Sequence, residues 1–208
     1  MSYPVAKRLL DESIALVLLV VLSPVFAFLF LAIGLDLLVR RKDRGAWLYR
    51  ERRISRGREF DLLKFRTLRR DALAEMQGES HVRVLEAEAS NLTWAGRRLL
   101  KPWYLDELPQ LWNVIRGDMS LVGPRPWPPS MVATQVSRGL SYRNEFVAGW
   151  TGPAQVQKGV TETSGYAELD VAYVEAARAA GARTLLRMDL AILWKTLLVM
   201  ARGEGLEF

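Results

Sequence analysis

The longest apolar run in the chain covers residues 14–35 and is interrupted only by Ser23, Pro24 and Gly34. About 20 apolar residues are enough to cross the hydrocarbon core of a bilayer as a helix. The run is longer than the ~7 to 15 apolar residues of a cleavable signal peptide, and no small-residue cleavage site follows it. The sequence therefore predicts a membrane segment near the N-terminus.

A proline near the middle of this run bears on how the segment meets the membrane. Pro24 removes one helical hydrogen bond and its ring collides with the preceding turn, while the hydroxyl of Ser23 can bond back to a carbonyl. Cytoplasmic segments hold the excess of basic residues, and such residues flank both ends of this run: Lys7, Arg8, Arg40, Arg41, Lys42 and Arg44. The pattern favours a kinked re-entrant helix with both ends in the cytoplasm. Charge and proline alone are equally compatible with a spanning helix that carries a central proline.

Composition narrows the chemistry that the chain can perform. It has no cysteine, which excludes disulfides, thiol catalysis and thiolate metal sites. Its single histidine, His81, lies in a polar stretch and is expected to be solvated, so no histidine-based metal site or triad is predicted. The formal net charge of +6 indicates a polyanionic neighbour. Nucleic acid, anionic lipid and a nucleotide-sugar diphosphate all qualify.

The densest group of chemically useful residues lies in the stretch LDELPQLWNVIRGDMSLVGPRP. Pro109 suits the first turn of a helix and Gly117 suits a left-handed helix stop, which predicts a short helix over residues 110–116. Asp106 and Glu107 are then expected at the positive end of that helix, where a carboxylate is favoured in its ionised form. Such a pair suits a nucleophile or a ligand of a hard cation such as Mg2+.

Basic side chains in two other segments have features of phosphate ligands. Arg125 has a proline on each side, and these prolines restrict the backbone before any ligand binds. Its guanidinium can therefore meet a phosphate with little loss of entropy. Residues 60–65 alternate loosely and predict a short strand, from which Lys64 and Arg66 would project on one face. That spacing predicts a pair of cations placed for a phosphate.

Taken together, these motifs resemble the signature of the bacterial sugar transferases. These are the monotopic phosphoglycosyl transferases that start glycoconjugate assembly on a polyprenyl phosphate. Besides the apolar N-terminus and the long acidic motif, the similarity includes residues 64–67 (KFRT), residues 151–156 (TGPAQV), and Asp170 with Tyr173. The resemblance therefore covers most of the chain, in the order typical of the family.

The resemblance implies a reaction and a location. Asp106 and Glu107 would form the catalytic dyad and hold the cofactor Mg2+, with Glu107 either binding the metal or handling a proton. Asp106 would attack the sugar-bearing phosphate of a UDP-sugar, UMP would leave, and a polyprenyl phosphate, expected to be undecaprenyl phosphate, would take up the phosphosugar. The domain would act on the cytoplasmic face of the bacterial inner membrane. It would catalyse the first membrane step in making a capsule, O-antigen, exopolysaccharide or glycoprotein glycan.

The resemblance also implies which residues bind the substrate. Arg125 is expected to bind the phosphate of the nucleotide sugar, with Lys64, Arg66 and Lys101 in supporting roles, and Gln155 is expected near the nucleotide. Lys101 departs from the family, which usually has an arginine five residues before the catalytic acid. Lysine keeps the charge but loses the bidentate fork of a guanidinium.

A function from another class is a non-enzymatic membrane adaptor whose basic face binds anionic lipid or nucleic acid. The contiguous acids in LDELPQ argue against a groove for a polyanion, and no RNA- or DNA-binding motif is present. The expected partners are therefore a UDP-sugar, a polyprenyl phosphate and membrane lipids, and no nucleic acid.

The expected organisation has a re-entrant membrane helix with its juxtamembrane segment over residues 1–45 and a cytoplasmic catalytic domain over residues 46–208. The predicted fold class is mixed α/β, mostly helical around a small irregular sheet. Residues 184–200 form an amphipathic pattern that either packs on the core or lies on the membrane. Asp170 and Tyr173 share a helical face and are expected to form a hydrogen-bonded structural pair.

Overall fold

The computed structural model of the protein describes residues 4–74, 82–157 and 165–201, and within these ranges the chain is mostly helical. The helices are α1 (Val5–Val21), α2 (Ser23–Val39), α3 (Arg70–Ala74), α4 (Val82–Glu86), α5 (Gln110–Ile115), α6 (Pro129–Ser137), α7 (Tyr142–Glu145), α8 (Tyr166–Ala179) and α9 (Ala182–Ala201). The strands are β1 (Leu48–Ser55), β2 (Arg58–Phe65), β3 (Ser120–Val122) and β4 (Gly149–Thr151), and they form two two-stranded sheets. A mostly helical chain with little sheet agrees with the predicted fold class. His81, which was expected to be solvated, lies outside the described residues.

The apolar N-terminal run folds as two helices with a break at Leu22. Pro24 stands in the first turn of α2, where its missing N–H costs no hydrogen bond, and the hydroxyl of Ser23 donates to the carbonyl of Val20 at 2.7 Å. Within the described ranges no single helix has the length and apolar character to cross a membrane. Together, α1 and α2 are long and apolar enough to cross a membrane, judged by length and composition only. The two helices are bent by 60° at the break. The predicted kink at Ser23 and Pro24 is therefore present.

The predicted strand over residues 60–65 forms most of β2, which pairs with β1 as a hairpin. Two residues connect the strands, Arg56 at φ 51° and Gly57 at φ 71°. Both lie in the left-handed region, as a type I′ hairpin turn requires. A Cβ at Gly57 would also lie 3.2 Å from the backbone oxygen of Asn144, so glycine suits this position for its conformation and for its space.

Strands β3 and β4 pair in parallel, with Ser120 opposite Gly149 and Val122 opposite Thr151. The backbones of the segments that follow the strands approach closely. A Cβ at Gly149 would lie 2.1 Å from the backbone nitrogen of Gly123, and a Cβ at Gly152 would lie 2.2 Å from the backbone oxygen of Gly123. The pairing therefore requires residues without side chains at these positions, and it brings the GPRP and TGPAQ turns together.

The described chain divides into two compact units. The first contains the chain up to Leu18, Glu51–Leu62 and the chain from Gln110 onward, and the second contains Leu19–Arg50 and Leu63–Pro109. Each unit takes residues from both sides of position 45, and the hairpin of β1 and β2 contributes to both. In the second unit the buried side chains include Phe65, which contacts Phe26 and Phe30 on α2.

Buried polar contacts attach α9 to the rest of the first unit. Lys7 is 6% exposed, forms an ion pair with Asp189 of α9, and donates to the carbonyl of Val122 at 3.1 Å. The hydroxyl of Tyr173 donates to the same aspartate at 2.7 Å. The amphipathic C-terminal helix therefore packs on the core.

Candidate active site

Asp106 and Glu107 lie together in a 3-10 turn, Leu105–Glu107, that precedes α5. The predicted helix over residues 110–116 is present as α5, which ends one residue earlier at Ile115, and the two acids occupy the turn before it. Tyr104, just ahead of them, adopts a left-handed conformation with φ 53°, which is uncommon for a residue with a side chain. Asp106 is 1% exposed, so the turn buries an ionisable group almost completely.

The two carboxylate oxygens of Asp106 have different surroundings. Oδ2 accepts a hydrogen bond from the ammonium of Lys101 at 3.0 Å. Oδ1 is buried and has no hydrogen-bond partner within residues 4–74, 82–157 and 165–201. An unsatisfied buried polar atom costs about 1 to 3 kcal/mol, and native proteins rarely leave one without a purpose. Oδ1 is therefore the atom of this turn best suited to bond with a ligand.

Burial raises the pKa of Asp106 to about 6. The ammonium groups of Lys101 and Lys64 lower the pKa of this carboxyl, whereas the neighbouring acids Glu107 and Glu86 raise it. Burial also lowers the pKa of Lys101, but the carboxylates of Asp106 and Glu86 outweigh it, so the net shift is upward. Lys101 therefore keeps its positive charge beside an aspartate that is ionised above about pH 6.

Two of the predicted phosphate ligands lie with the dyad in the second unit. Lys101 contacts Asp106 directly, and the ammonium of Lys64 lies 3.9 Å from Oε1 of Glu107. Lys64 is 8% exposed, so its charge is largely withdrawn from bulk water. Two lysines and two acids are thus grouped within ion-pair distance, a concentration of charge typical of phosphoryl-transfer sites.

Arg66 belongs to the same unit, but the hydrogen bonds of its guanidinium are with backbone carbonyls and not with the dyad. Its guanidinium donates to the backbone carbonyls of Asp43 and Leu68, and the residue is 6% exposed. Lys64, two positions earlier, forms an ion pair with Glu107, whereas these contacts of Arg66 are with the backbone. The expected role of Arg66 on a phosphate stays a prediction.

Glu86, for which no motif in the sequence predicts a role, lies beside the dyad in the structure. Its Oε2 accepts from the ammonium of Lys101 at 2.6 Å and its Oε1 accepts from the hydroxyl of Thr67 at 2.6 Å. Nothing in the local sequence distinguishes Glu86 from the other acids of its segment. The contact joins residues 15 positions apart, so only the fold could reveal it.

Arg125 and Gln155 lie in the first unit, on the adjacent turns that follow β3 and β4. The two turns are hydrogen-bonded, since the N–H of Gly123 donates to the carbonyl of Thr151 at 3.0 Å and that of Gly149 donates to Pro124 at 2.9 Å. Both polar atoms of the Gln155 amide are buried, and neither has a hydrogen-bond partner in the described part of the chain. Ligands commonly bind beyond the carboxyl ends of parallel strands, where these turns lie.

A second residue without a predicted role, Arg143 of α7, lies beneath the Arg125 turn. It is 3% exposed, donates to the carbonyl of Arg125 at 3.1 Å, and lies 4.0 Å from the ring centre of Trp127. Its charge is balanced by Asp170 at 2.8 Å. Asp170 and Tyr173 were expected to bond to each other. In the structure Asp170 bonds to Arg143, and Tyr173 bonds to Asp189.

The acids of the turn fit a magnesium ion in number and type. No group of three or more metal-ligating side chains was found among residues 4–74, 82–157 and 165–201. Mg2+ is commonly held by one or two carboxylates and completes its shell with waters and substrate phosphates. The carboxylates of Asp106 and Glu107 supply that number of protein ligands.

Comparison with known proteins gives a consistent result over nearly the whole chain. The family model described as bacterial sugar transferase matches residues 2–203. The chain is 31% identical over 222 residues to an uncharacterized sugar transferase of Haemophilus influenzae, an alignment that covers 99% of this chain and 43% of that protein.

Two further relatives have more specific names. The chain is 30% identical to the undecaprenyl-phosphate galactose phosphotransferase of Salmonella typhimurium, with 96% of this chain and 41% of that protein covered. It is 36% identical to the UDP-glucose:undecaprenyl-phosphate glucose-1-phosphate transferase of Caulobacter vibrioides, with 76% of this chain and 56% of that protein covered. The chain therefore spans about half the length, or less, of these three relatives.

Proposed function

The chain belongs to the bacterial sugar transferase family, and from this premise we propose that it transfers a phosphosugar from a UDP-sugar to a polyprenyl phosphate. The acceptor is undecaprenyl phosphate, which the names of several relatives contain. The second product is UMP. The reaction is the first membrane step in assembly of a bacterial glycan.

The observation that carries this proposal is the state of the Asp106 carboxylate. It is almost completely buried, one oxygen is paired with Lys101, and the other oxygen has no partner. A carboxylate removed from water and bonded on one side only is poised to act as a nucleophile toward phosphorus.

The proposed reaction has two steps. In the first, Oδ1 of Asp106 bonds to the sugar-bearing phosphorus, the bond from that phosphorus to the bridging oxygen breaks, and UMP leaves with the bonding electrons. In the second, an oxygen of the polyprenyl phosphate bonds to the same phosphorus, and the Asp106 carboxylate is released. Lys101 and Lys64 offset negative charge near the reacting phosphate in both steps.

Asp106 and Glu107 would hold Mg2+, whose positive charge offsets that of the phosphate oxygens when it is bound. Arg125 keeps its expected role as a ligand of the nucleotide-sugar phosphate, and Arg143 supports the turn that carries it. Gln155 offers two unsatisfied amide atoms to the nucleotide.

We also propose that α1 and α2 enter the cytoplasmic face of the inner membrane as a re-entrant pair. The side chains that support this are apolar and exposed on both helices: Leu16, Val17, Val20, Val21, Phe28, Leu31, Leu35 and Leu38. Exposed apolar surface of this extent is stabilised by lipid rather than by water.

The function is tested with the full chain in detergent, a panel of UDP-sugars, undecaprenyl phosphate and Mg2+. We expect UMP release with at least one UDP-sugar and, without the acceptor, about one equivalent of UMP per protein with a protein mass increased by one phosphosugar. Lipid binding without UMP release from any UDP-sugar would instead support the membrane adaptor. UMP release that requires the acceptor in the first turnover would contradict the covalent step.

A further inference from the structure

Glu86 contacts Lys101 beside the dyad, and the proposed reaction leaves it without a role. It ends α4, and its side chain is 11% exposed. One of its oxygens accepts from Thr67 and the other from Lys101, so both are occupied. Glu86 is thereby held in one orientation from two sides, which is the property required of a group that positions another.

Lys101 is shared between two carboxylates, and the two contacts are unequal. Its ammonium lies 2.6 Å from Oε2 of Glu86 and 3.0 Å from Oδ2 of Asp106. The shorter of the two contacts is therefore made with Glu86. Asp106 has the longer contact, on Oδ2, and its Oδ1 has no hydrogen-bond partner among the residues that the structure describes.

We propose that Glu86 is a positioning residue that holds the ammonium of Lys101 beside Asp106 and prevents it from pairing fully with the nucleophile. A carboxylate in a full ion pair is a poor nucleophile because its electron density is drawn to the cation. Glu86 accepts the shorter of the two hydrogen bonds from Lys101 and so holds the ammonium away from Oδ1 of Asp106, which stays available. The inference rests on the proposed function and adds a residue to its site.

The arrangement suits both steps of the proposed reaction. When Oδ1 bonds to phosphorus and UMP leaves with the bonding electrons, Asp106 loses its negative charge and Lys101 loses one of its two partners. Glu86 is not consumed in this step, so the ammonium stays in place. It is then correctly placed when the acceptor oxygen bonds to phosphorus and the carboxylate of Asp106 is released.

The test is the variant Glu86→Gln, which keeps an acceptor for Thr67 and removes only the charge. In this variant Asp106 is the one carboxylate left of the two that share Lys101, and we expect the ammonium to move toward it. We expect formation of the covalent adduct to slow by about tenfold, with the KM for the UDP-sugar changed by less than about twofold. Glu88→Gln is the matched control, because Glu88 is exposed two residues away, and its rate should equal that of the parent. An unchanged rate in Glu86→Gln, or a loss confined to KM, would overturn the proposal.

A double-mutant cycle shows whether Glu86 acts through Lys101. In a Lys101→Met background, which forms the adduct slowly, adding Glu86→Gln should change the rate by less than about twofold. A tenfold loss in both backgrounds would mean that Glu86 acts independently of Lys101, contrary to the proposal.

A measurement independent of turnover separates this inference from the proposed function. In protein labelled with 15N-lysine, the ammonium resonance of Lys101 is identified by its absence in Lys101→Met. It should shift in Glu86→Gln and stay in place in Glu88→Gln; an unshifted resonance overturns the proposal. If the resonance shifts but the parent releases no UMP from any UDP-sugar, the contact is supported and the proposed function is overturned.

Discussion

At the scale of single residues, the two oxygens of Asp106 divide structural and chemical roles between them. Oδ2 bonds to Lys101, which holds the side chain in place, while Oδ1 is buried without a partner. The same contrast occurs at Gln155, whose amide atoms are both buried and unpaired. Buried polar atoms without a partner cost stability, and in these two residues they are available to bond with a ligand.

Asp106→Asn is expected to abolish UMP release and covalent capture, because an amide cannot act as an anionic nucleophile. The fold should survive, since the amide has nearly the same shape and no longer requires burial of a charge. Adduct mass and thermal unfolding are the two measurements. Asp71→Asn, at an aspartate whose side chain is 57% exposed, is the matched control and should remain active. An adduct on the Asp106→Asn protein would show that another residue is the nucleophile.

Arg125→Lys keeps the positive charge but loses the fork of a guanidinium. The turn is held by its two prolines and by Arg143, so the new side chain cannot readily adjust its position. We expect UMP release to slow by on the order of 10- to 1000-fold if the contact tightens in the transition state. Arg138→Lys, at an exposed arginine, should have the parent rate. Near-normal turnover in Arg125→Lys would reduce Arg125 to a structural residue.

At the scale of elements, a change in backbone direction accompanies each predicted functional feature. Pro24 starts α2 after a break and bends the N-terminal pair by 60°. The parallel strands β3 and β4 end in two glycine-containing turns that approach too closely for side chains at Gly149 and Gly152. In both places the residue that allows the geometry is proline or glycine, because these two differ most from the others in backbone freedom.

Cysteine accessibility tests the re-entrant arrangement of α1 and α2. The chain has no cysteine, so Ser2→Cys and Trp47→Cys each introduce a single reactive thiol. In inverted membrane vesicles, whose cytoplasmic face is outside, both thiols should react with an impermeant reagent, because a re-entrant pair returns to its starting side. Labelling of position 47 but not of position 2 would indicate a spanning segment.

At the scale of the whole molecule, buried ion pairs tie distant parts of the chain together within each compact unit. In the first unit Lys7 pairs with Asp189 and Arg143 with Asp170, and in the second Lys101 pairs with Glu86. Breaking a buried pair by removing one partner leaves the other charge without compensation, which is costly. These pairs therefore help to specify the packing of helices that are far apart in sequence.

Asp170 should contribute a distinct pH dependence to global stability. Burial raises its pKa to about 6, although Arg143 and Arg125 oppose the shift, and the ordinary value is 3.8. The folded state therefore binds this proton more tightly than the unfolded state, and ionisation lowers the free energy of unfolding as pH rises from about 4 to above 6. The difference between a pKa of 3.8 and one of about 6 corresponds to a loss of about 3 kcal/mol in the free energy of unfolding across this pH range.

The measurement is the difference in Tm between Asp170→Asn and the parent from pH 4 to pH 7. It should change in favour of the variant as pH rises, because asparagine has no proton to lose. Glu168→Gln, at an exposed acid on the same helix, should show no such trend. A difference that moves in favour of the parent would mean that pairing with Arg143 outweighs burial.

The sequence by itself determined the features that depend on neighbouring residues. The break at Ser23 and Pro24, the strand that ends at Phe65, and the short helix after Pro109 all follow from backbone preferences and local spacing. The acidic pair and the proline-flanked Arg125 were identified in the same way. Each signal lies within a few residues of the feature that it predicts.

Only the tertiary structure decided which charged side chains meet. It placed Glu86 on Lys101, Arg143 beneath the turn of Arg125, and the guanidinium of Arg66 on the carbonyl of Asp43. It also placed the acids in a turn before α5 and packed α9 on the core through Asp189. Most of these contacts join residues about 15 to 180 positions apart, and local propensity contains no information about partners at that separation.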